Sequence, residues 1–135
     1  MITDNDWESL VEYVDRDDVV GFSDSANALG ITLSEILDGP PNSWMTFLTF
    51  AAERGRVKMI NYLIDLGADP NHLTRSVSWS PLYFAVEAGC DEAVKVLLAR
   101  GASPDACMPG MESARELARS HPQYARFLTM FQEMS

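Results

Sequence analysis

The chain has 135 residues, 47% of them hydrophobic and 22% charged, a composition typical of one soluble globular domain and not of a disordered or membrane-spanning chain. Its formal net charge is −10, and the first forty residues hold ten acidic side chains and one arginine. Because this charge repels phosphate backbones, we do not expect a nucleic-acid partner.

Cysteine content and targeting signals indicate a reducing compartment. Cys90 and Cys107 are too few for a disulfide scaffold, and neither belongs to a CxxC pair. The first residues are acidic and lack the apolar centre of a secretory signal, and the apolar run at residues 44–52 is too short to span a bilayer. We therefore expect a cytoplasmic protein with no membrane contact.

The first forty residues predict two or three short helices. The first has apolar residues at helical spacing: Trp7, Leu10, Val11 and Val14. Asn5 and Glu8 are placed as its possible N-terminal cap. Val19, Val20 and Ala26 indicate a second helix, and residues 32–37 could begin a third before the Gly-Pro-Pro break at residues 39–41.

A repeat follows this region. Residues 50–71 and 84–105 have the same pattern at a displacement of 34 positions, with shared Phe, Ala and Gly residues. In each segment a short apolar helix ends at a glycine, and a second helix with apolar residues three and four apart ends at another. Each unit is therefore predicted to be two helices and a loop.

The last segment, from Gly110 onward, keeps only part of this pattern. It retains apolar positions at Ala114, Leu117 and Ala118, and then carries further apolar residues at helical spacing up to Phe131. We interpret it as a C-terminal cap.

The repeat resembles the ankyrin repeat, in which a T-P-L-H-x-A helix start, a glycine turn, an apolar second helix and a G-A-D-x-N loop recur every 33 residues or so. Residues 80–85 read SPLYFA and residues 67–71 read GADPN, whereas the earlier helix start, TFLTFA at residues 46–51, lacks the proline. The resemblance implies an all-α solenoid of stacked antiparallel helix pairs with short loop fingers.

We divide the single domain on this basis. Residues 42–74 and 75–107 are the two clear repeats, and residues 108–135 are the cap. Residues 1–41 lack the ankyrin glycines and are interpreted as a divergent N-terminal helical cap, with a separate helical addition as the alternative.

No catalytic or metal-binding pattern is present in the sequence. His72 and His121 have no cysteine or carboxylate at ligand spacing, and Cys90 is best explained as a small residue at a turn. There is also no GxSxG elbow and no phosphate-binding glycine loop. We expect no enzyme activity, no cofactor, no metal and no small-molecule substrate.

The resemblance implies that a partner binds the face formed by the loop fingers and the first helix of each pair. The positions it points to are Met45, Glu53, Arg54, Val77, Trp79, Glu87, Met111 and Arg119. Trp79 either anchors a partner or covers a neighbouring finger, and the same alternatives hold for Trp44. Asp15, Asp17 and Asp18 are either a solvated acidic face or a surface that steers a basic partner.

Two functions fit these features. The first is a small inhibitor or immunity-type protein that blocks the basic site of a toxin or enzyme. The alternative is a generic adaptor or scaffold for protein–protein interaction.

Overall fold

The fold is taken from a computed structural model, which describes residues 2–41, 43–74 and 79–134. These residues form α-helices, one short 3-10 helix (Pro122–Tyr124) and no strand, so the predicted all-α class is confirmed. The helices are α1 (Asp4–Asp15), α2 (Val19–Leu29), α3 (Leu33–Asp38), α4 (Phe47–Arg54), α5 (Val57–Asp65), α6 (Pro81–Ala88), α7 (Asp91–Ala99), α8 (Ala114–Ser120) and α9 (Arg126–Met134).

The helices stack as pairs in two layers. Helices α1, α4, α6 and α8 are successive neighbours and form the first-helix layer, whereas α2, α5, α7 and α9 form the second-helix layer. α3 lies in the connection between α2 and α4 and packs on α4. The predicted unit boundaries at residues 41, 74 and 107 fall between helix pairs, and they stay predictions.

Hydroxyl side chains begin the first helices. The Oγ atoms of Thr46 and Ser80 accept hydrogen bonds from backbone N–H groups three residues later, each at 3.2 Å, and satisfy amides that a helix start leaves open. Thr3 does the same for α1, and its own N–H donates to the Asp6 carboxylate at 2.8 Å. The predicted cap at Asn5 and Glu8 is therefore wrong, because the helix begins two residues earlier.

The core runs without a break through the pairs. Phe22 of α2 is fully buried and meets Phe47 of α4 edge-on, with ring centroids 5.0 Å apart. Trp7 of α1 stacks on the same ring at 6.1 Å. Through these contacts α1 and α2 share one apolar core with the repeats. Burial of each such side chain stabilises the fold by roughly 1.5–3 kcal/mol.

Left-handed residues form the turns inside the pairs. Gly55 and Gly89 have φ of 71° and 72°, and a Cβ at Gly55 would lie 2.5 Å from the Sγ of Cys90. Asp17 occupies the corresponding turn between α1 and α2 with φ 55°. The amide after it bonds the carbonyl five residues back, as the amide after Gly55 also does. The first pair thus makes the repeat's turn without its glycine.

Polar contacts tie successive pairs together. Three ion pairs do so: Asp15 with Arg54 at 2.6 Å, Asp65 with Arg100 at 2.6 Å, and Asp91 with Arg126 at 2.9 Å. Asn71 joins two loops, because its side chain donates to the Gly101 carbonyl at 3.1 Å and accepts from the Ser103 N–H at 2.7 Å.

Candidate functional site

A groove opens on the first-helix layer between α1, α4 and the segment that carries Pro40, Pro41 and Ser43. Its volume is about 450 Å³. Apolar side chains supply much of its lining, namely Trp7, Val11, Pro40, Pro41 and Phe50, and the remaining lining residues are Asp4, Glu8, Glu12 and Ser43. The groove therefore combines an apolar lining with three carboxylates from one helix, and we call it the acidic groove.

The helical period produces this combination. Asp4, Glu8 and Glu12 are four residues apart on α1 and lie on one face, while Trp7 and Val11 take the adjacent positions toward the groove. Like charges at this spacing destabilise a helix by about 0.2–0.5 kcal/mol per pair. Glu12 alone among the three has a cationic neighbour in the described part of the chain, Arg16, at 3.8 Å.

A proline segment forms the opposite wall. It begins at Gly39, where φ is 83° and an added Cβ would lie 2.9 Å from the Thr46 Cα. The Ser43 N–H then donates to the Pro40 carbonyl at 3.2 Å, and the Ser43 hydroxyl bonds the backbone of Met45. Because proline fixes φ and these bonds close the turn, the wall is preorganised.

An aromatic cluster, formed by Trp44, Trp79, Tyr83 and Phe84, lies farther along the layer. Trp79 stacks on Tyr83 with ring centroids 4.6 Å apart and planes 11° apart, and it meets Phe84 edge-on. Trp44 also contacts Phe84 but remains 45% exposed. Because Trp79 packs on these neighbours, its side chain is half-buried. Trp44 exposes more of its indole to solvent.

Tyr83 connects this cluster to the loop before α8. Its hydroxyl donates to the Glu112 carboxylate at 2.8 Å. Burial, followed by that hydrogen bond and the nearby negative charge of Glu112, raises the pKa of Tyr83 above its ordinary value. The phenol therefore stays protonated and acts as a fixed donor at neutral pH.

Some of the predicted partner-binding residues lie along one edge of the first-helix layer. Glu53 and Arg54 are near the end of α4, Glu87 is near the end of α6 and Arg119 is near the end of α8. Arg54, Glu87 and Arg119 are exposed and Glu53 is half-buried, while Met111 is 38% exposed in the preceding loop. Arg54 is already paired with Asp15, so this edge carries mixed charge.

Two other predicted positions have different outcomes. Met45 is 5% exposed and belongs to the core, so its assignment to a binding face is corrected. Its backbone N–H and carbonyl both bond the Ser43 hydroxyl, and its side chain belongs to the core cluster. Val77 lies outside the described residues.

The three predicted acidic residues have structural partners. Asp17 accepts from the Met59 N–H at 2.9 Å and the Lys58 N–H at 3.3 Å, which caps α5 from the neighbouring pair. Asp18 accepts from the Gly21 N–H at 2.9 Å and caps α2, and Asp15 binds Arg54. These carboxylates therefore stabilise helix starts and the stack, and whether they also steer a basic partner stays a prediction.

Sequence reasoning missed the acidic groove itself. Its carboxylates come before the three aspartates that were singled out, and Phe50 was interpreted as a repeat marker. The spacing of Asp4, Glu8 and Glu12 beside Trp7 was a usable signal, but the groove depends on the packing of α1 on α4, a tertiary contact that no local pattern predicts.

The described residues also lack two further features. No group of three or more His, Cys, Asp or Glu residues is arranged to hold a metal ion there. No helix in that part of the chain is long and apolar enough to cross a membrane.

The stacked pairs, the glycine turns and the open first-helix layer define a helical repeat protein of the protein-binding class. The chain matches the family model described as ankyrin repeats (3 copies) over residues 25–107, more than half of its length, and it belongs to the ankyrin-repeat family. The match begins inside α2, which places part of the first helix pair within the repeats.

A mouse protein is also similar to the chain. The 2-5A-dependent ribonuclease of Mus musculus is 39% identical over 54 residues, which are 40% of this chain and 7% of that protein. The chain therefore spans a small fraction of this relative's length. Ankyrin repeats are protein-interaction modules, so the shared segment supports binding to another protein.

Proposed function

We propose that the chain is a small inhibitor or immunity-type protein that covers the basic site of a toxin or enzyme. The observation that carries this proposal is the charge of the first helix pair and its connection, a net −9 over forty residues. Asp4 and Glu8 form no ion pair among the described residues and line an open groove on the first-helix layer. Such a surface steers a basic partner and disfavours an acidic one.

The proposal places the protein in the cytoplasm and makes it a binder without catalysis. Both cysteines are free, which suits a reducing compartment. The ribonuclease activity in the relative's name is not carried over, because the match covers too little of that protein. Nucleic acid, membrane and small-molecule partners do not suit an acidic, protein-binding repeat surface.

The test begins with capture of partners from the native host on the immobilised chain, followed by mass spectrometry. A purified partner with enzymatic activity is then titrated with the chain. We expect activity to fall to its floor near one equivalent, and association to slow as salt is raised. Unchanged activity at saturating chain would contradict inhibition.

The adaptor alternative predicts a different outcome. An adaptor would bind two different proteins at once and leave the activity of each intact. Mixed Glu and Arg side chains along the α4, α6 and α8 edge, including Glu53 and Arg119, offer a second surface for such a partner. Analytical ultracentrifugation of the chain with both captured proteins would separate a ternary complex from competition.

A further inference from the structure

We infer that the acidic groove takes one large apolar side chain, best an aromatic one, from a partner segment in which lysine or arginine residues flank it. This inference rests on the proposed function and names the chemistry of the partner segment. It also assigns the binding to residues of α1 and the proline wall, which the repeat pattern did not indicate.

The size and lining of the groove fit such an anchor. A cleft of about 450 Å³ lies within the range of roughly 300–1,000 Å³ that is usual for ligand sites. Phe50 and the two prolines keep part of their rings accessible in the lining, beside the largely buried Trp7, and such rings pack well against another ring. Its apolar lining is the kind of surface that an interface anchor buries.

The carboxylates around the groove fit the flanking charges. Elsewhere in the described residues, Asp15, Asp65, Asp91 and Asp105 bind arginine side chains at 2.6–2.9 Å. Asp4 and Glu8 have no such cation in the same part of the chain, and Glu12 reaches Arg16 only at 3.8 Å. In that part of the chain, two acids without a cation thus border the apolar lining, and a basic segment would compensate them.

The proline wall reduces the cost of binding. Gly39 closely approaches Thr46, and Ser43 bonds both the Pro40 carbonyl and the Met45 backbone. A partner side chain therefore enters a cleft whose walls are already placed, and little conformational entropy is lost by the chain.

The test measures the binding of three synthetic peptides to the full chain by isothermal titration calorimetry at low salt. The first peptide is acetyl-Gly-Lys-Arg-Phe-Arg-Lys-Gly-amide, the second has Ala in place of Phe, and the third has Glu in place of each basic residue. We expect the first to bind, the second to bind at least tenfold more weakly, and the third to show no binding.

Matched variants locate the site. The groove variant carries Asp4→Asn, Glu8→Gln and Glu12→Gln, and its control carries Asp24→Asn, Glu92→Gln and Glu133→Gln at exposed positions of the second-helix layer. Both lose three charges. We expect at least a tenfold loss of affinity for the first peptide in the groove variant and less than a twofold loss in the control. Circular dichroism confirms that both remain folded.

A third variant, Trp44→Ala, tests the aromatic cluster as the competing anchor site and is expected to leave affinity unchanged. Equal losses in the two charge variants, equal binding of the Phe and Ala peptides, or a loss confined to Trp44→Ala would each overturn the inference. These outcomes are separate from the proposed function. If the groove variant inhibits a captured enzyme as well as the parent does, the proposed inhibitor function stands. The inference that the groove binds the partner is then refuted.

Discussion

Asp17 combines a left-handed turn with the capping of a helix in the next pair. Its backbone adopts φ 55°, where Gly55 and Gly89 stand in the later pairs, and its carboxylate caps α5 through the Lys58 and Met59 amides. The left-handed conformation costs a non-glycine residue roughly 1–2 kcal/mol, and a helix cap contributes about 0.5–2 kcal/mol. The cap thus offsets the strain of the turn and joins the first pair to the second.

A substitution series at Asp17 separates the two tasks. Asp17→Asn tolerates the turn and keeps a capping oxygen, Asp17→Gly keeps only the turn, and Asp17→Ala loses both. We expect the free energy of unfolding to fall in the order Asp, Asn, Gly, Ala, with Asp17→Ala about 1–3 kcal/mol below the parent. Urea denaturation measures the order. If Asp17→Gly proves more stable than the parent, the strain of the turn outweighs the contacts to α5.

Leu82 and Trp79 differ in what their removal exposes. Leu82 is 0% exposed, so Leu82→Ala leaves a cavity and should destabilise the fold by about 2–5 kcal/mol. Trp79 is half-buried and stacks on Tyr83, so Trp79→Ala should cost about 1–2 kcal/mol. Thermal melts of the two variants give the comparison. Equal losses would show that the indole belongs to the core as fully as the leucine.

At the scale of the elements, the sequence predicted the helices whose positions are determined by neighbouring residues. The periodicity predicted α1, and the predicted range of residues 32–37 agrees within one residue with α3 and its Thr32 cap. The predicted cap of α1 was wrong because Thr3 and Asp6 form a capping box before the apolar stripe begins. Met45 escaped prediction because its burial follows from a turn set by Ser43. The acidic groove needs α1, α4 and the proline wall together, and their assembly is a tertiary property.

One arginine makes several polar contacts at the start of the last helix. Arg126 donates to the Asp91 carboxylate at 2.9 Å and to the Gly89 carbonyl at 3.1 Å, and its guanidinium lies 4.4 Å from the Phe127 ring centroid. These bonds join α9 to the turn before α7. Because Arg126 is about half exposed, each contact is worth little alone, on the order of 0.2–1 kcal/mol.

Arg126→Ala should therefore loosen α9 more than it destabilises the whole chain. We expect amide hydrogen exchange in α9 to speed up severalfold while exchange in α4 changes little, because local opening is governed by local contacts. Arg16→Ala is the control, since its 3.8 Å pair with Glu12 lies within one helix. Uniformly faster exchange across both helices would contradict a local role.

At the scale of the whole molecule, the chain is a short stack whose parts support one another. In a repeat protein each unit contacts only its neighbours, so stability is the sum of unit and interface contributions. Here the first interface includes Trp7 and Phe22 on Phe47, the capping by Asp17 and the pair of Asp15 with Arg54. With so many contacts at one interface, the first pair is not expected to unfold separately from the repeats.

This expectation gives the final prediction, which also tests the status of residues 1–41. In a variant with Trp44→Phe and Trp79→Phe, Trp7 is the remaining tryptophan, and its buried indole reports on the first pair. We expect its fluorescence and the far-ultraviolet circular dichroism to give the same urea midpoint, because loss of α1 and α2 would expose Phe47 and uncap α5. The urea slope should be about 1–3 kcal/mol per molar for a single cooperative transition of this size. A Trp7 transition at lower urea, followed by a second loss of helix, would show that the first pair is a separable addition and that the repeats fold without it.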